Sequence, residues 1–187
     1  MKFVQTIVSN DFDSYAMWMA YEVSQRSKCL SRNVGAVITQ GRHIISTGYN
    51  GPTSGYPHPK SCKRKDLGIP SGEKIELCPC SDSELNAIIQ AARNGISTRD
   101  ATIYLFAGIL PCTLKCAPAI IGAGIKKVVC LCNIEHQSDP DSVTTTEKFR
   151  FAKVDVEEYR GPLRDILLKL ENKSFLSRAQ PARMEMK

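Results

Sequence analysis

Ala101 to Phe106 and Lys127 to Cys132 are two short apolar runs, and the segment from about Cys112 to Gly124 between them has helical spacing. That order of strand, helix and strand narrows the choice of fold sharply. Two strands joined through a helix pair in parallel, and the crossover is right-handed in nearly all proteins.

The chain before this unit reads as helix, hairpin, loop and helix. Tyr15, Met17, Trp18, Met19 and Val23 have helical spacing over Asp13 to Lys28, with Asp11 or Asp13 available as an N-cap. Val34 to Thr39 and His43 to Gly48 flank Gln40-Gly41-Arg42, a hairpin with glycine in the turn. Residues 50 to 81 are rich in Gly, Pro, Ser and Lys without periodicity, too long for a routine connection, which marks a functional loop. Glu84 to Asn94 reads as a helix with Leu85, Ile88, Ile89 and Ala92 on one face and Asn94-Gly95 as its stop. Beyond the crossover, Asn133 to Thr146 reads as a polar loop, Phe151 to Val156 as a short strand and Val156 to Leu170 as a last helix broken by Gly161-Pro162. The elements predict an α/β domain over residues 1–171, a three-layer helix-sheet-helix sandwich on a mixed, about five-stranded sheet, with 172–187 a mobile basic tail.

Composition removes several classes of function. With 187 residues, 42% of them hydrophobic, the chain can bury one substantial core. No apolar run approaches the roughly 20 residues that span a bilayer, and MKFVQTIVSNDFDSY lacks the regions of a signal peptide, so a cytoplasmic protein is expected and no membrane partner. Of the net charge of +6, the segment Lys173 to Lys187 supplies +3, leaving a mildly basic body. That balance suits a small phosphorylated substrate, and no basic run interleaved with aromatics favours a nucleic-acid polymer.

Eight cysteines are too sparse here for a disulfide scaffold, and clustered cysteines in a reducing compartment mark metal binding or catalysis. Asp82-Ser83-Glu84 opens one predicted helix and Pro111-Cys112-Thr113-Leu114-Lys115-Cys116 opens another. Brought together, Asp82, Cys112 and Cys116 would make a three-ligand zinc site with one open position, the catalytic arrangement, and unpaired N–H groups at helix starts favour thiolate over thiol. Glu84, beside the metal without binding it, is placed to shuttle protons.

At this point the chain resembles the deoxycytidylate deaminase family of the cytidine deaminase-like superfamily, over roughly residues 13 to 132. The matching pieces are Arg26-Ser27-Lys28-Cys29, Val34-Gly35-Ala36-Val37-Ile38, Gly48-Tyr49-Asn50-Gly51-Pro52 with Gly55, Leu67 through Glu73, Glu84-Leu85-Asn86-Ala87-Ile88, and Ala119-Ile120-Ile121 followed by Ala123 through Val128. The resemblance implies zinc-dependent hydrolysis of deoxycytidylate to deoxyuridylate with Glu84 as proton shuttle. It also implies a homo-oligomer, often a hexamer, and regulation by deoxynucleoside triphosphates. Family relatives sometimes carry a second zinc near the long loop, for which His58 with Cys29, Cys62 or Cys78 are candidates.

The departures fall at the metal. Where the family has His-Ala-Glu this chain has Asp82-Ser83-Glu84, and where the family has Pro-Cys-x-x-Cys three residues separate Cys112 from Cys116. Tyr104 to Cys116 is also longer than its family counterpart. Asp binds zinc at about the distance of a His nitrogen, and cysteines four apart on a helix share a side, so a site survives on paper with more negative charge on the metal. Each residue has a plainer reading as well. Asp82 suits a helix N-cap, Cys112 and Cys116 suit small buried hydrophobes, and Cys130 and Cys132 read as core. Asn50 is a turn residue or a contact to the substrate sugar, and Arg26 and Lys28 are helix-dipole partners or ligands of a 5′-phosphate. A catalytically inactive nucleotide-binding relative, and a same-fold enzyme for another amino-heterocycle, stand beside the deaminase.

Overall fold

A computed structural model of the chain describes residues 2–70, 73–132, 134 and 139–177, with side chains as far as residue 173. His136 and the expected tail beyond Ser177 lie outside the described residues. The chain opens with α1 (Lys2–Asn10), which the hydrophobic spacing did not reveal, and α2 (Phe12–Ser24), whose start Asp11 caps by accepting the Ser14 N–H at 3.1 Å. The hairpin β1 (Gly35–Gln40) and β2 (His43–Tyr49) follows as predicted, its register shifting between Ile38 and Thr39.

The segment 50–81 is closed at its base by two short strands. β3 (Gly51–Pro52) pairs antiparallel with β4 (Cys80–Ser81), while a short helix α3 (Lys63–Asp66) and a 3-10 turn at Ile75–Leu77 give the loop internal structure. This closure returns the chain beside the end of β2 immediately before α4 (Ser83–Arg93). Then come β5 (Thr102–Phe106), α5 (Cys116–Gly122) and β6 (Lys127–Cys130), the predicted crossover.

Two expectations fail after that. Helix α6 (Pro140–Phe151) occupies the second half of what reads as a polar loop and the start of the predicted strand, so β7 (Asp155–Glu158) begins later and α7 (Arg164–Ser177) later still. The buried face of α6 is Ser142, Thr145 and Phe149, so two of its three core positions are hydroxyls and the apolar period is absent. A start signal was present: Asp139 accepts the Ser142 N–H at 3.0 Å, and Pro140 occupies the first turn. α7 continues through the expected boundary at 171.

The five-stranded sheet runs β2-β1-β5-β6-β7, antiparallel from β2 to β5 and parallel from β5 to β7. Alternation along the strands divides the core into two layers. Ala36, Ile38, Ile103, Leu105, Val128 and Cys130 pack with Ala87 of α4, Ile120 of α5 and Phe149 of α6. Val37, Tyr104, Phe106 and Val129 pack with Met17 of α2 and with Leu163 and Leu167. The sandwich is therefore helix, sheet, helix, and Cys130 and Cys132 are core residues within it. Two glycines set how closely the helices approach. A Cβ on Gly35 would meet the Ala20 carbonyl at 2.0 Å, and one on Gly48 would meet the Ser83 carbonyl at 2.3 Å and the Ala87 nitrogen at 2.4 Å. Gly48 thus lets the first turn of α4, with Glu84 on it, lie directly against β2.

Candidate metal and catalytic site

Asp82 precedes α4 with extended backbone, and its side chain makes no capping hydrogen bond. The plain N-cap reading therefore does not describe it. Its carboxylate accepts from the Cys116 thiol at 3.4 Å, and the Lys115 ammonium lies 3.8 Å from the same oxygen. The Cys112 and Cys116 sulfurs are 3.4 Å apart, and one ligand atom from each of Asp82, Cys112 and Cys116 falls within 4.8 Å of the others.

Cys112 is not on a helix, contrary to the sequence reading. α5 begins only at Cys116, and the intervening residues form a wide turn in which the Ala117 N–H donates to the Cys112 carbonyl at 3.0 Å. That bond spans five residues rather than the four of an α-helix, so the turn takes up the extra residue of the Cys-x-x-x-Cys spacing. The sulfurs meet across this turn instead of along one helical side. The Cys116 N–H points at the Cys112 sulfur, 3.4 Å away.

The donor set fits zinc. Tetrahedral bonds of about 2.3 Å to sulfur and about 2.1 Å to oxygen put neighbouring ligand atoms roughly 3.6–3.8 Å apart, close to the 3.4 Å that separates Cys116 from both Cys112 and Asp82. The hydrogen bond between the Cys112 and Cys116 sulfurs, with the Cys116 and Lys115 N–H groups, holds the Cys112 thiol at about 6, while desolvation opposes the shift. Cys116 moves upward, because it hydrogen-bonds the Cys112 sulfur and is buried beside Glu84 and Asp82. Lys115 partly offsets the negative charge that Asp82 adds where the family has a neutral imidazole.

Glu84, in the first turn of α4, is only 7% exposed. Burial, with the Asp82 charge second, pushes its carboxyl up to about 7, against a Ser83 hydroxyl that donates to it at 2.8 Å. A carboxyl in this setting, nearly withdrawn from water, changes protonation near neutral pH.

Asn50 is buried, and both ends of its carboxamide are engaged. Its oxygen accepts from the Val34 N–H at 2.9 Å and the Ser27 hydroxyl at 2.7 Å, and its nitrogen donates to the Arg32 carbonyl at 2.9 Å. It pins the segment 27–34 to the end of β2. Arg26 and Lys28 are exposed in and beside that segment, and the Lys28 N–H donates to the Asn50 carbonyl at 3.3 Å. Asn86 completes this edge by donating to the Tyr49 carbonyl at 2.8 Å.

A second group of thiols lines a cavity under the long loop. Cys29, Cys62, Cys78 and Cys80 face it together with Leu77 and Arg64. The Cys80 thiol hydrogen-bonds with those of Cys29 and Cys78, which raises Cys80 and lowers Cys78 to about 6. His58 is exposed and is not among the lining residues. Sequence reasoning missed Cys80 here and Lys115 at the first site. The β3–β4 pairing that carries Cys80 inward is too short to leave a periodic signal.

A mixed sheet lies between two helix layers, and a carboxylate and two thiols converge from a helix start and a wide turn beside a buried glutamate, a group that could hold a metal ion. The family model for the cytidine and deoxycytidylate deaminase zinc-binding region matches residues 10–132, and the chain belongs to that family. Deoxycytidylate deaminase of Schizosaccharomyces pombe is 32% identical over 153 residues, covering 81% of this chain and 45% of that protein. Deoxycytidylate deaminase of Enterobacteria phage T4 is 37% identical over 148 residues, covering 62% of this chain and 75% of the phage protein. The dCMP deaminase of cyanophage S-TIM5, in its apo crystal structure, superposes with a TM-score of 0.59 over 79% of this chain and 96% of that one, at 23% identity, a likeness of fold. This chain thus spans about half the length of its fission-yeast relative.

Proposed function

We propose that this chain catalyses hydrolytic deamination of a cytosine nucleotide, deoxycytidylate to deoxyuridylate, using zinc held by Asp82, Cys112 and Cys116. The observation that carries the reading is the buried Glu84 carboxyl beside that three-ligand cluster. When bound, zinc supplies Lewis acidity that activates a nucleophile at neutral pH. Glu84 accepts the proton that water gives up as its oxygen adds to C4 of the ring, and passes it to the ring nitrogen. Glu84, again a carboxylate, then takes the remaining proton of the added hydroxyl and gives it to the departing amine, the C4–N bond breaks, ammonia leaves and the carbonyl remains. Burial of Glu84 keeps that proton from exchanging with bulk water.

Arg26 and Lys28 supply cations for the 5′-phosphate, and Asn50 fixes the strand end and the segment that present them. The other contacts rest on kinship: a homo-oligomer, and a deoxynucleoside triphosphate as effector. Cys29, Cys62, Cys78 and Cys80 are the residues for a second, structural zinc, supported by their shared cavity.

Elemental analysis of the purified protein, with ammonia release from deoxycytidylate, tests the reading. Zinc that is lost in Cys112→Ala and Cys116→Ala, with ammonia formed by the parent, supports it. Retention of that zinc in both variants refutes the site. Zinc loss without turnover by the parent favours an inactive nucleotide-binding relative, or an enzyme for another amino-heterocycle. A further zinc lost only in Cys80→Ala identifies the second metal.

A further inference from the structure

The wide turn that carries Cys112 has little packing of its own, since Leu114 is 76% exposed and Thr113 lies only partly buried beside it. It is instead gripped from outside. The Thr145 hydroxyl of α6 donates to the Pro111 carbonyl at 3.0 Å, the Asp141 carboxylate accepts the Thr113 N–H with both oxygens at 3.3 Å, and the Lys148 ammonium donates to the Thr113 carbonyl at 2.7 Å. These three side chains follow at spacings of four and three, which puts them on one stripe of the helix.

We propose that the Asp141, Thr145 and Lys148 stripe of α6 is a positioning device that fixes the lengthened cysteine turn, so that Cys112 meets Cys116 and Asp82 in metal-binding geometry. The inference rests on the zinc reading of those three ligands. Its physical basis is that an added residue gives the backbone between the cysteines two further dihedral freedoms, and that freedom must be removed before both sulfurs can bind one ion. Bonds to the Pro111 carbonyl and the Thr113 N–H, on the two peptides that flank Cys112, and to the Thr113 carbonyl one peptide further on, remove it without touching either sulfur. The ordinary role of Asp141 in the first turn of α6 and of Lys148 near its last, complementing the helix dipole, explains the charges but not why both meet the same residue of the turn. Partners outside the ligand shell that orient ligands are typically worth 10–100-fold in metal affinity.

The test compares the parent with Asp141→Ala/Lys148→Met, with Thr145→Val, and with the exposed-face control Val143→Ser. Zinc affinity is measured by chelator competition, the cobalt–thiolate absorption band is recorded for each, and unfolding of the metal-free proteins is followed by circular dichroism. The expected result is a zinc affinity about 10–100-fold lower in the double variant, with a weakened cobalt–thiolate band and metal-free stability close to the parent's. Asp141→Asn/Lys148→Arg, which keeps an acceptor and a cation, should restore most of the affinity, and Val143→Ser should leave it unchanged. Equal affinity in parent and double variant overturns the positioning role while leaving the metal site standing. So does an affinity loss that follows only from a matching loss of metal-free stability. A parent without any cobalt–thiolate band overturns the zinc reading of Cys112 and Cys116, and the positioning role falls with it.

Discussion

Replacing Glu84 with Gln should make the metal-free protein more stable at pH 8 while slowing turnover severely in the zinc-loaded one. The folded carboxyl titrates near 7 against an ordinary 4.5, chiefly because burial disfavours the anion. Its folded pKa is raised, so the stability it contributes is fully present below about pH 4.5 and is lost as pH rises towards 7. At about 1.36 kcal/mol per pKa unit, the parent loses about 3 kcal/mol across that window. Glutamine carries no charge at any pH and keeps an oxygen to accept from Ser83, so it escapes the loss. Urea unfolding of both metal-free proteins at pH 4.5, 6 and 8 measures the effect. The stability difference should open with pH, reaching roughly 3 kcal/mol in favour of the Glu84→Gln variant before any cost of burying the amide nitrogen. With zinc restored, kcat should fall by about 10²–10⁴-fold, the usual worth of a general acid–base group. Parallel stability profiles for the two proteins would show that Glu84 is not held in a desolvated setting, and the argument from burial would fail.

Gly48→Ala should destabilise the fold by about 1–3 kcal/mol, because a Cβ there meets α4 backbone rather than a movable side-chain end; chemical unfolding reads this, with a fall in activity as Glu84 shifts. Asp82→Ala should release the zinc bound by Cys112 and Cys116, measured by elemental analysis, and should lower the Glu84 pKa by removing a neighbouring negative charge. The buried Tyr159 hydroxyl contacts the Ser14 hydroxyl at 2.6 Å and accepts the Leu163 N–H at 3.3 Å, so Tyr159→Phe should cost about 1–3 kcal/mol in thermal or urea unfolding without altering metal content. Dialysis against a strong chelator should abolish ammonia release, and added zinc should restore it.

The crossover around β5, α5 and β6 was legible because its strands are buried on both faces and read as continuous apolar runs. The hairpin was legible through its turn; the presence of α4 was legible too, but its buried side is Ser83, Glu84, Ala87 and Ala91, while Ile89 and Ala92 of the expected apolar face are exposed. α6 was not, since Ser142 and Thr145 fill core positions where periodicity looks for aliphatic residues. Its Asp139-Pro140 start was the signal to weigh more heavily. At the site, the convergence of Asp82, Cys112 and Cys116 was expected from spacing and resemblance, but the conformation of the cysteine turn was not. Helical spacing assigns Cys112 to α5, whereas hydrogen bonds from α6, remote in sequence, select the wider turn. Asn50 shows the same limit, since its turn chemistry is local while its partners at Ser27 and Arg32 come from another part of the chain.

The small ladder between β3 and β4 closes the segment from Pro52 to Cys80 at its base. Once the two ends are tied, the entropy of closing a flexible loop grows only with the logarithm of its length, about 0.6 kcal/mol for each doubling. Residues inserted near the exposed Tyr56 would therefore cost the domain little, and Asp82, anchored on the far side of the ladder, would keep its place. The segment is thus a position where length and sequence can change while the residues gathered beyond the ladder stay in register.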